Sequence, residues 1–360
     1  MKKVWVITLA MILVMSLVFG ACKKDENTEI APTEDPGSEI VEHGDGWVNE
    51  PEYILVLSNH DIEQSLSGQY CIAWANMVKQ KSKGRIEIQV NNGGAMAGPT
   101  ESLDKVRGGS IDLAWGLQSL YPGRFPMSEA LAIPCLPYKS SEHASKVAMD
   151  IWENTGLLDS DYDGVKVILL RANCDAPIAT RESKLNAAAD LNGMTIYSSG
   201  ALSTSWLGAL GASGQEGAVS DLAQNLMQGS LDGATTDWHS INAFRIYEVA
   251  QYFANEKVVF DTCFLLMNQD AYDWLPADLQ AVIDECSGQA ALDLMIDAWD
   301  DLSARAIEAY SVACEIYKLP NAESQILRDA ATQITEAWLA RSGASEKEIY
   351  DAILASIAKN

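Results

Sequence analysis

Residues 185–237 constrain the fold more than any other stretch of this 360-residue chain. Their pattern is a short apolar strand, two helices and a buried strand, predicted over residues 194–197, 202–210, 219–227 and directly after Gly229. Strands that alternate with helices in this way are typical of a parallel α/β sheet. Such sheets bind ligands at the carboxyl ends of their strands, so we expect the binding site of this chain there.

Further strands are predicted on both sides of this unit. Apolar or alternating runs indicate them over residues 53–58, 85–90, 111–115, 165–170 and 257–267. Helical spacing of apolar residues lies before Gly84 and over residues 101–107 and 143–154, whereas an extended segment is predicted over residues 130–137. We expect the chain to leave a first lobe after the 165–170 strand and to return along the 257–267 strand. Lobe 1 would then comprise residues 52–171 and 258–290, and lobe 2 residues 172–257.

The carboxyl-terminal part has a different, helical character. From Leu275 to Leu319 one apolar face continues with only a mild interruption at Ser287 and Gly288. A single helix of this length would reach about 50 Å at 1.5 Å per residue, enough to span both lobes. Two more amphipathic helices are predicted on either side of Gly343, so residues 291–360 would form the lobe-spanning and carboxyl-terminal helices.

The amino terminus has the pattern of an export signal. Lys2 and Lys3 precede an apolar run over residues 4–19, and small residues come directly before Cys22. This pattern predicts a lipoprotein signal peptide over residues 1–22 with Cys22 as the acylated residue; a transmembrane anchor is the alternative. Residues 23–51 are rich in acidic residues, Pro and Gly and are predicted to be a flexible acidic tether. We therefore expect an extracytoplasmic, lipid-anchored protein, in a periplasm or at the cell surface.

Charge and motifs exclude several function classes. A formal net charge of −25 argues against nucleic-acid binding. Catalytic motifs of the G-x-S-x-G, H-E-x-x-H and P-loop kinds are absent from the sequence, and its four histidines lack metal-ligand spacing. We therefore expect no catalytic residue, no metal and no cofactor. The six cysteines after Cys22 have no C-x-x-C spacing, which favours buried free thiols over disulfides.

Several motifs together resemble those of a known family. They are D-L-x-G-x-x-I from Asp190, A-L-G-A from Ala209, L-x-x-G-x-x-D-G from Leu226, and the segments 112–126, 133–138 and 267–284. Their order and spacing are similar to those of the DctP-type extracytoplasmic solute-binding proteins of TRAP transporters, over roughly residues 53–318. The resemblance implies an α/β, two-lobed periplasmic-binding-protein-like fold with parallel or mixed sheets. It also implies a protein that captures a small organic solute in the interlobe cleft and delivers it to membrane permease subunits.

The candidate ligand-binding residues follow strand ends and crossover loops. They are Asn59, His60, Trp115, Tyr121, Arg171, Asp175, Tyr197, Asp237, Trp238 and Phe260, with Asp261 as a weaker candidate. Core packing is an alternative for the two tryptophans, because aromatic side chains dominate cores as well. A turn or a helix cap is an alternative for the two aspartates.

The sequence differs from the family pattern at the positions that are expected to bind the ligand. The resemblance implies a carboxylate-binding Arg at the position of Tyr197 and a second near Ala176, and neither is present. An organic acid held by Arg171, Arg181 or backbone amides is one alternative, since a guanidinium is the strongest carboxylate receptor. The acidic and aromatic candidates instead suit an amine-bearing or zwitterionic solute.

Two rivals keep the same pocket but differ in function. One is a ligand-sensing or adhesion module that passes its signal to a receptor. The other is a surface hydrolase that uses Asp175 or Asp237 together with His60, which the missing catalytic motifs disfavour.

Overall fold

The structure is a computed structural model that describes residues 46–341 and 344–360. The predicted signal peptide over residues 1–22, the proposed acylation site at Cys22 and the predicted tether as far as residue 45 lie outside the described residues. The strands are β1 (Tyr53–Ser58), β2 (Ile86–Asn91), β3 (Leu113–Leu117), β4 (Val165–Thr180), β5 (Thr195–Ser198), β6 (Ser213–Gln215), β7 (Gly233–Thr235), β8 (Tyr252–Asn268) and β9 (Glu315–Tyr317).

The helices lie between and after these strands. They are α1 (Leu66–Lys81), α2 (Ser102–Arg107), α3 (Ser141–Thr155), α4 (Ala201–Ala209), α5 (Leu222–Gln228), α6 (Trp238–Ala243), α7 (Gln269–Asp273), α8 (Ala277–Glu285), α9 (Gln289–Asp293), α10 (Ala298–Tyr310), α11 (Asn321–Leu339) and α12 (Ala344–Lys359). Short 3-10 helices cover Gln118–Leu120, Ser128–Ala132, Asp159–Tyr162, Ala188–Leu191, Val219–Asp221 and Ile246–Glu248.

The strands of the described residues form one mixed sheet with two parallel ends. Its order is β2-β1-β3-β8-β4-β7-β5-β6, and β9 pairs with β8. At one end β2, β1 and β3 run parallel, and at the other end β7, β5 and β6 do so. Antiparallel pairing of β3 with β8, β8 with β4 and β4 with β7 joins the two ends. Each parallel end with its helices is one lobe, so the predicted two-lobed α/β fold is confirmed.

The two strands that join the lobes are longer than predicted. β4 has 16 residues and β8 has 17, so each extends about 50 Å at 3.3 Å per residue. The predicted strands stopped where polar residues begin, before Asn173 in the middle of β4 and after Asn255 near the start of β8. The predicted lobe boundaries at residues 171 and 257 fall inside these strands, and those boundaries stay a prediction.

The βαβ unit of lobe 2 forms as predicted from residues 185–237. β5, α4, α5 and β7 match the predicted elements to within a few residues. The short edge strand β6 was not predicted, because its Ser, Gly and Gln residues have little strand propensity. The predicted extended segment over residues 130–137 is wrong at its start, which lies in the Ser128–Ala132 3-10 helix.

The predicted single helix from Leu275 to Leu319 is wrong. That stretch instead contains α8, α9, α10 and β9. Gly288 has φ +60°, which an α-helix does not allow, and its amide donates to the carbonyl of Ile168. The helical run must therefore stop there, even though the apolar face continues.

Within that stretch α10 contacts both lobes, because Asp300 accepts from the Ser141 amide of lobe 1 at 2.8 Å and Tyr310 stacks on Tyr247 of lobe 2 with the ring centres 4.0 Å apart. Further along the chain, α11 also reaches both lobes. Near its start, the Leu327 carbonyl accepts from the Trp206 indole of lobe 2 at 3.0 Å. Near its end, the Trp338 indole donates to Glu129 of lobe 1 at 2.8 Å. At 19 residues α11 is about 28 Å long, which is enough to bridge the two lobes.

The described cysteines are free thiols, as predicted. Cys71, Cys174, Cys263, Cys286 and Cys314 are buried and Cys135 is half-buried. Across residues 46–341 and 344–360, every helix is too short or too polar to cross a bilayer.

Candidate functional site

A cavity of about 260 Å³ lies where the two lobes meet. Four parallel strands end at its walls. His60 and Asp61 follow β1, and Ser119 follows β3 in lobe 1. Ser199 follows β5, while Thr236 and Asp237 follow β7 in lobe 2. This is the place where parallel α/β sheets present ligand-binding groups, so the expected position of the site is occupied by a cavity.

The middle of the sheet and one helix complete the walls. Asp261 and Cys263 line the cavity from the same face of β8, and Asn173 lines it from β4. Trp299 reaches it from α10. The remaining lining residues are Ser67, Pro99, Trp115, Leu117, Leu120, Tyr197, Ala218, Val219, Ser220, His239, Ser240 and Phe244. The cavity therefore has walls from both lobes and a floor from the strands that connect them.

The structure brings five of the candidate ligand-binding residues together. His60, Trp115, Tyr197 and Asp237 line this cavity, and so does Asp261, the weaker candidate. Tyr121 lines a smaller adjoining space of about 60 Å³, which shares Ser119, Ser199 and Asp261 with the cavity. Tyr121 also has its hydroxyl occupied, because it donates to the Pro99 carbonyl at 2.7 Å.

The other predicted residues do not line the cavity. Asn59 is buried and holds the loop after β1. Its side-chain Nδ2 donates to Asn92 Oδ1 at 3.0 Å, and its Oδ1 accepts from the Asp61 backbone amide at 3.2 Å. Trp238 stacks on Phe253 with the ring centres 5.5 Å apart.

Phe260 and Asp175 also lie outside it. Phe260 packs edge-on against Tyr138 with the ring centres 5.6 Å apart. Asp175 is buried, with one carboxylate oxygen 4.0 Å from the Lys257 ammonium. Burial raises the pKa of the Asp175 carboxyl, and nearby Lys257 partly opposes that rise.

Three carboxylates face the cavity. Asp237 caps α6, because it accepts from the Ser240 amide at 3.0 Å and from the Ser240 hydroxyl at 2.9 Å. It therefore has both the capping role and the position of a ligand-binding residue. Asp61 accepts from the Ser67 hydroxyl at 2.6 Å, and its other oxygen lies 3.6 Å from His60 Nε2.

Asp261 is the most enclosed of the three carboxylates. It accepts from the Ser119 hydroxyl and from the Thr262 amide, the latter at 2.8 Å. Burial raises the pKa of the Asp261 carboxyl to about 7; the Ser119 bond opposes this rise and the Asp237 carboxylate adds to it. Asp261 can therefore change its charge near neutral pH.

An aromatic wall stands beside these carboxylates. The Trp115 and Trp299 rings stack with their centres 6.3 Å apart, and the Trp299 indole donates to Asn173 at 3.0 Å. Tyr197 and Phe244 supply aromatic surface from lobe 2. The wall and the carboxylates together can accommodate a group that is both positively charged and partly apolar.

Arg171 lies behind this wall and does not line the cavity. Its guanidinium carbon is 3.2 Å from the centre of the Trp299 ring, and its Nε donates to the Ala172 carbonyl at 3.2 Å. Burial lowers the pKa of the Arg171 guanidinium to about 10. Arg181 is also elsewhere, because it donates to the carbonyls of Leu226 and Met227 on the outer side of lobe 2.

Sequence reasoning missed several lining residues. Ser199 directly follows β5 and Ser119 comes two residues after β3, so the rule of strand ends could have found them. Trp299 gave no such signal, since it lies within a helical stretch that had been predicted to pack as a brace. His239 follows Asp237 by two residues, and only the start of α6 turns it toward the cavity.

The fold and the cavity together define a class of protein. A two-lobed α/β protein whose parallel strands from both halves end at one enclosed cavity is a solute-binding protein of the periplasmic type. The sequence model of the bacterial extracellular solute-binding proteins, family 7 (DctP), matches residues 58–342, and the chain belongs to this family. The family consists of extracytoplasmic binding proteins and not of enzymes, as predicted.

Curated relatives are distant. The chain is 24% identical over 276 residues to the uncharacterized protein y4mM of Sinorhizobium fredii, which covers 76% of this chain and 50% of that protein. It thus spans about half the length of this relative. It is 23% identical over 233 residues to a solute-binding protein of Verminephrobacter eiseniae, which covers 64% of this chain and 69% of that one.

Solved structures share the fold. A TRAP solute-binding protein from a marine metagenome, specific for aromatic acids and bound to 3-hydroxybenzoate, has a TM-score of 0.80 at 24% identity and covers 86% of this chain and 99% of that chain. A TRAP solute-binding protein of Rhodoferax ferrireducens with copurified benzoate has a TM-score of 0.78 at 24% identity. The match covers 85% of this chain and 98% of that chain. One of Roseobacter denitrificans with bound glucuronate has a TM-score of 0.73 at 17% identity, covering 85% and 99%.

Proposed function

We propose that this protein captures a small organic solute in the cavity between its lobes and delivers it to the membrane permease subunits of a TRAP-type secondary transport system. The observation that carries the proposal is the convergence of four parallel strand ends, two from each lobe, on one enclosed cavity. Family membership supports the proposal. Two solved structures of the same fold, each 24% identical to this chain, hold small organic molecules.

Capture would work through closure of the lobes. Lobe 1 offers His60 and Ser119 to a solute, and lobe 2 offers Tyr197 and Asp237. A solute that touches both lobes stabilises the form in which they are close together, so its differential affinity drives closure. The lobes already meet beside the cavity, because a Cβ on Gly200 would lie 3.5 Å from Ser119 Cβ.

We also propose that the protein is held at a membrane surface by an acylated Cys22. The supporting observation is the sequence pattern of a charged start, an apolar run and small residues before that cysteine. An acidic segment of residues 23–45 would give the folded lobes freedom to reach the permease subunits. The predicted tether is wrong for residues 46–51, because the Val48 amide donates to the Lys83 carbonyl of lobe 1 at 3.1 Å.

The chemical class of the solute separates the alternatives. The structural relatives named above bind aromatic acids or a sugar acid. An organic acid here would need Arg171, Arg181 or backbone amides, and neither arginine lines the cavity. An amine-bearing solute would use the three lining carboxylates instead. A ligand-sensing lipoprotein would use the same cavity with another partner. For a surface hydrolase, Asp175 lies outside the cavity whereas Asp237 and His60 both line it; membership of a family of binding proteins disfavours this alternative.

Solute capture can be tested by blocking the cavity. Ser220 lines it and is exposed, so Ser220→Trp places a large ring in the cavity with little effect on the core. Ser205→Trp, on an exposed turn of α4 in the same lobe, is the matched control. We expect native mass spectrometry to detect a solute from cell extract on the unmodified protein and on Ser205→Trp, and not on Ser220→Trp. Equal loading of both variants would contradict the proposal.

A further inference from the structure

We infer that the solute carries a positively charged amine next to a flat or apolar body. This inference deepens the proposed function and rests on it. It starts from the charge of the cavity, which is lined by Asp61, Asp237 and Asp261, whereas no Lys or Arg is found among the described lining residues. A carboxylate solute would enter beside three acidic side chains, and an ammonium would be attracted by their ionised forms.

Asp261 is placed to hold the ammonium. It is only 7% exposed and lines both the main cavity and the smaller adjoining one, at the floor between the two lobes. Its partners are the Ser119 hydroxyl and the Thr262 amide, which leaves acceptor capacity on a carboxylate that has about four lone-pair sites. An ammonium has three N–H donors and can use this capacity together with Asp237.

The aromatic side chains of the cavity wall limit where the ammonium of the solute can lie. The Arg171 guanidinium already covers one face of Trp299 at 3.2 Å, so a second cation over that ring would face a nearby like charge. Trp115, Tyr197 and Phe244 line the cavity, and no guanidinium contact is found on their rings within the described residues. Trp115 is only 1% exposed and its ring packs between Trp299 and Tyr70, so the cation–π surface comes from Tyr197 and Phe244.

A polar atom without a hydrogen-bond partner in the cavity wall is a second, independent indication of a ligand. His239 lines the cavity at 9% exposure, and its Nε2 is buried without a hydrogen-bond partner in the described part of the chain. A buried polar atom without a partner destabilises the free protein, and a ligand that bonds to this atom removes that cost. His60 adds a second such atom, Nδ1, on the opposite wall from lobe 1.

Matched probes that differ only in their polar group test the inference. Calorimetric titration of the purified protein would compare phenethylamine, phenylacetate and the neutral 2-phenylethanol. We expect phenethylamine to bind at least about tenfold more tightly than phenylacetate. Asp261→Asn should weaken phenethylamine binding by about tenfold and leave 2-phenylethanol within about twofold. Asp221→Asn, an exposed carboxylate of lobe 2 outside the cavity, should change none of these affinities.

The outcomes separate this inference from the proposed function. Phenylacetate binding as tightly as phenethylamine would overturn the amine and leave solute capture standing, as would unchanged phenethylamine affinity in Asp261→Asn. Binding of 2-phenylethanol shows that the Asp261→Asn variant is folded. A protein that binds neither these probes nor any solute from cell extract would overturn both.

Discussion

The guanidinium carbon of Arg171 lies 3.2 Å from the centre of the Trp299 ring, while both terminal nitrogens of Arg171 are buried without a hydrogen-bond partner in residues 46–341 and 344–360. A desolvated cation–π contact contributes about 2 kcal/mol, whereas taking a charge out of water costs several. The stack therefore orients Trp299 at the cavity wall without adding much to the stability of the fold.

Replacing this charge by an apolar side chain should be tolerated. We expect Arg171→Met, which keeps most of the length, to change the free energy of unfolding by less than about 1 kcal/mol or to raise it. Arg171→Ala should lower it by about 3 kcal/mol, because a void forms under Trp299. Urea unfolding followed by tryptophan fluorescence measures both. A loss of more than about 3 kcal/mol in Arg171→Met would show that the charge itself stabilises the fold.

The same variant distinguishes the two solute classes. If the amine inference is right, Arg171→Met leaves phenethylamine affinity within about threefold, since the arginine does not contact the solute. If an acid bound by Arg171 is the true solute, the variant abolishes its binding. Calorimetry with phenethylamine and phenylacetate gives both results on one protein.

Asp261 should make the stability of the protein depend on pH. Its folded-state pKa of about 7 is above the ordinary value of 3.8, so the folded state binds a proton that the unfolded state has lost between these values. The free energy of unfolding therefore falls as pH rises from about 4 to 7. Outside this pH range, the contribution of Asp261 to the free energy of unfolding is constant.

We expect Asp261→Asn to remove this dependence. At pH 8 the variant should be about 1 to 3 kcal/mol more stable than the unmodified protein, because a neutral amide replaces a buried charge. At pH 4 the two should be nearly equal. Urea unfolding at four pH values measures the difference, and an advantage of the variant that grew toward pH 4 would contradict it.

Amine binding should release protons near neutral pH. An ammonium beside Asp261 favours the ionised carboxyl, so binding at pH 7 displaces the proton that burial retains there. Phenethylamine titrated at pH 7 should therefore give different heats in phosphate and in Tris, and its affinity should rise from pH 6 to pH 8. Buffer-independent heats, or an affinity that falls with pH, would contradict the role of Asp261.

A glycine in β3 allows a test of core packing next to the cavity. A Cβ on Gly116 would lie 2.5 Å from Phe264 Cζ of the neighbouring strand β8, and both residues are buried. We expect Gly116→Ala to lower the free energy of unfolding by about 2 to 3 kcal/mol. Gly208→Ala, in α4 with nothing within 4 Å of its Cβ, should raise it by about 0.5 to 1 kcal/mol. Thermal unfolding of the pair checks the sign of each.

The sequence was most informative where local pattern and burial agree. Tyr53–Ser58 is β1 to the residue, and the strand–helix order of residues 185–237 is that of lobe 2. The positions of His60, Tyr197 and Asp237 followed from strand ends alone, because the carboxyl edge of a parallel sheet is fixed by strand direction.

Elements set by contacts distant in the chain were less predictable. Gly288 breaks the expected long helix because its backbone bonds to Ile168, which lies far away in sequence. Asn173 and Asp175 lie inside β4 although their polarity indicates a loop, since both long strands are held by pairing with each other. The position of Trp299 in the cavity wall depends on the orientation of α10, which the sequence does not give. The position of Arg171 behind Trp299 depends on the same orientation.

The pairing of β4 with β8 has a consequence for how this protein can be divided. The lobes share two uninterrupted strands with register shifts at Val167/Leu169, Ala172/Asp175 and Ala176/Ile178. Cutting the chain between the lobes would sever both strands and leave unpaired backbone edges on each fragment, so neither half should be expressible as a soluble protein by itself. Relative motion of the halves has to be an elastic flexing of the shared sheet, and the irregular pairs are the points where it can yield.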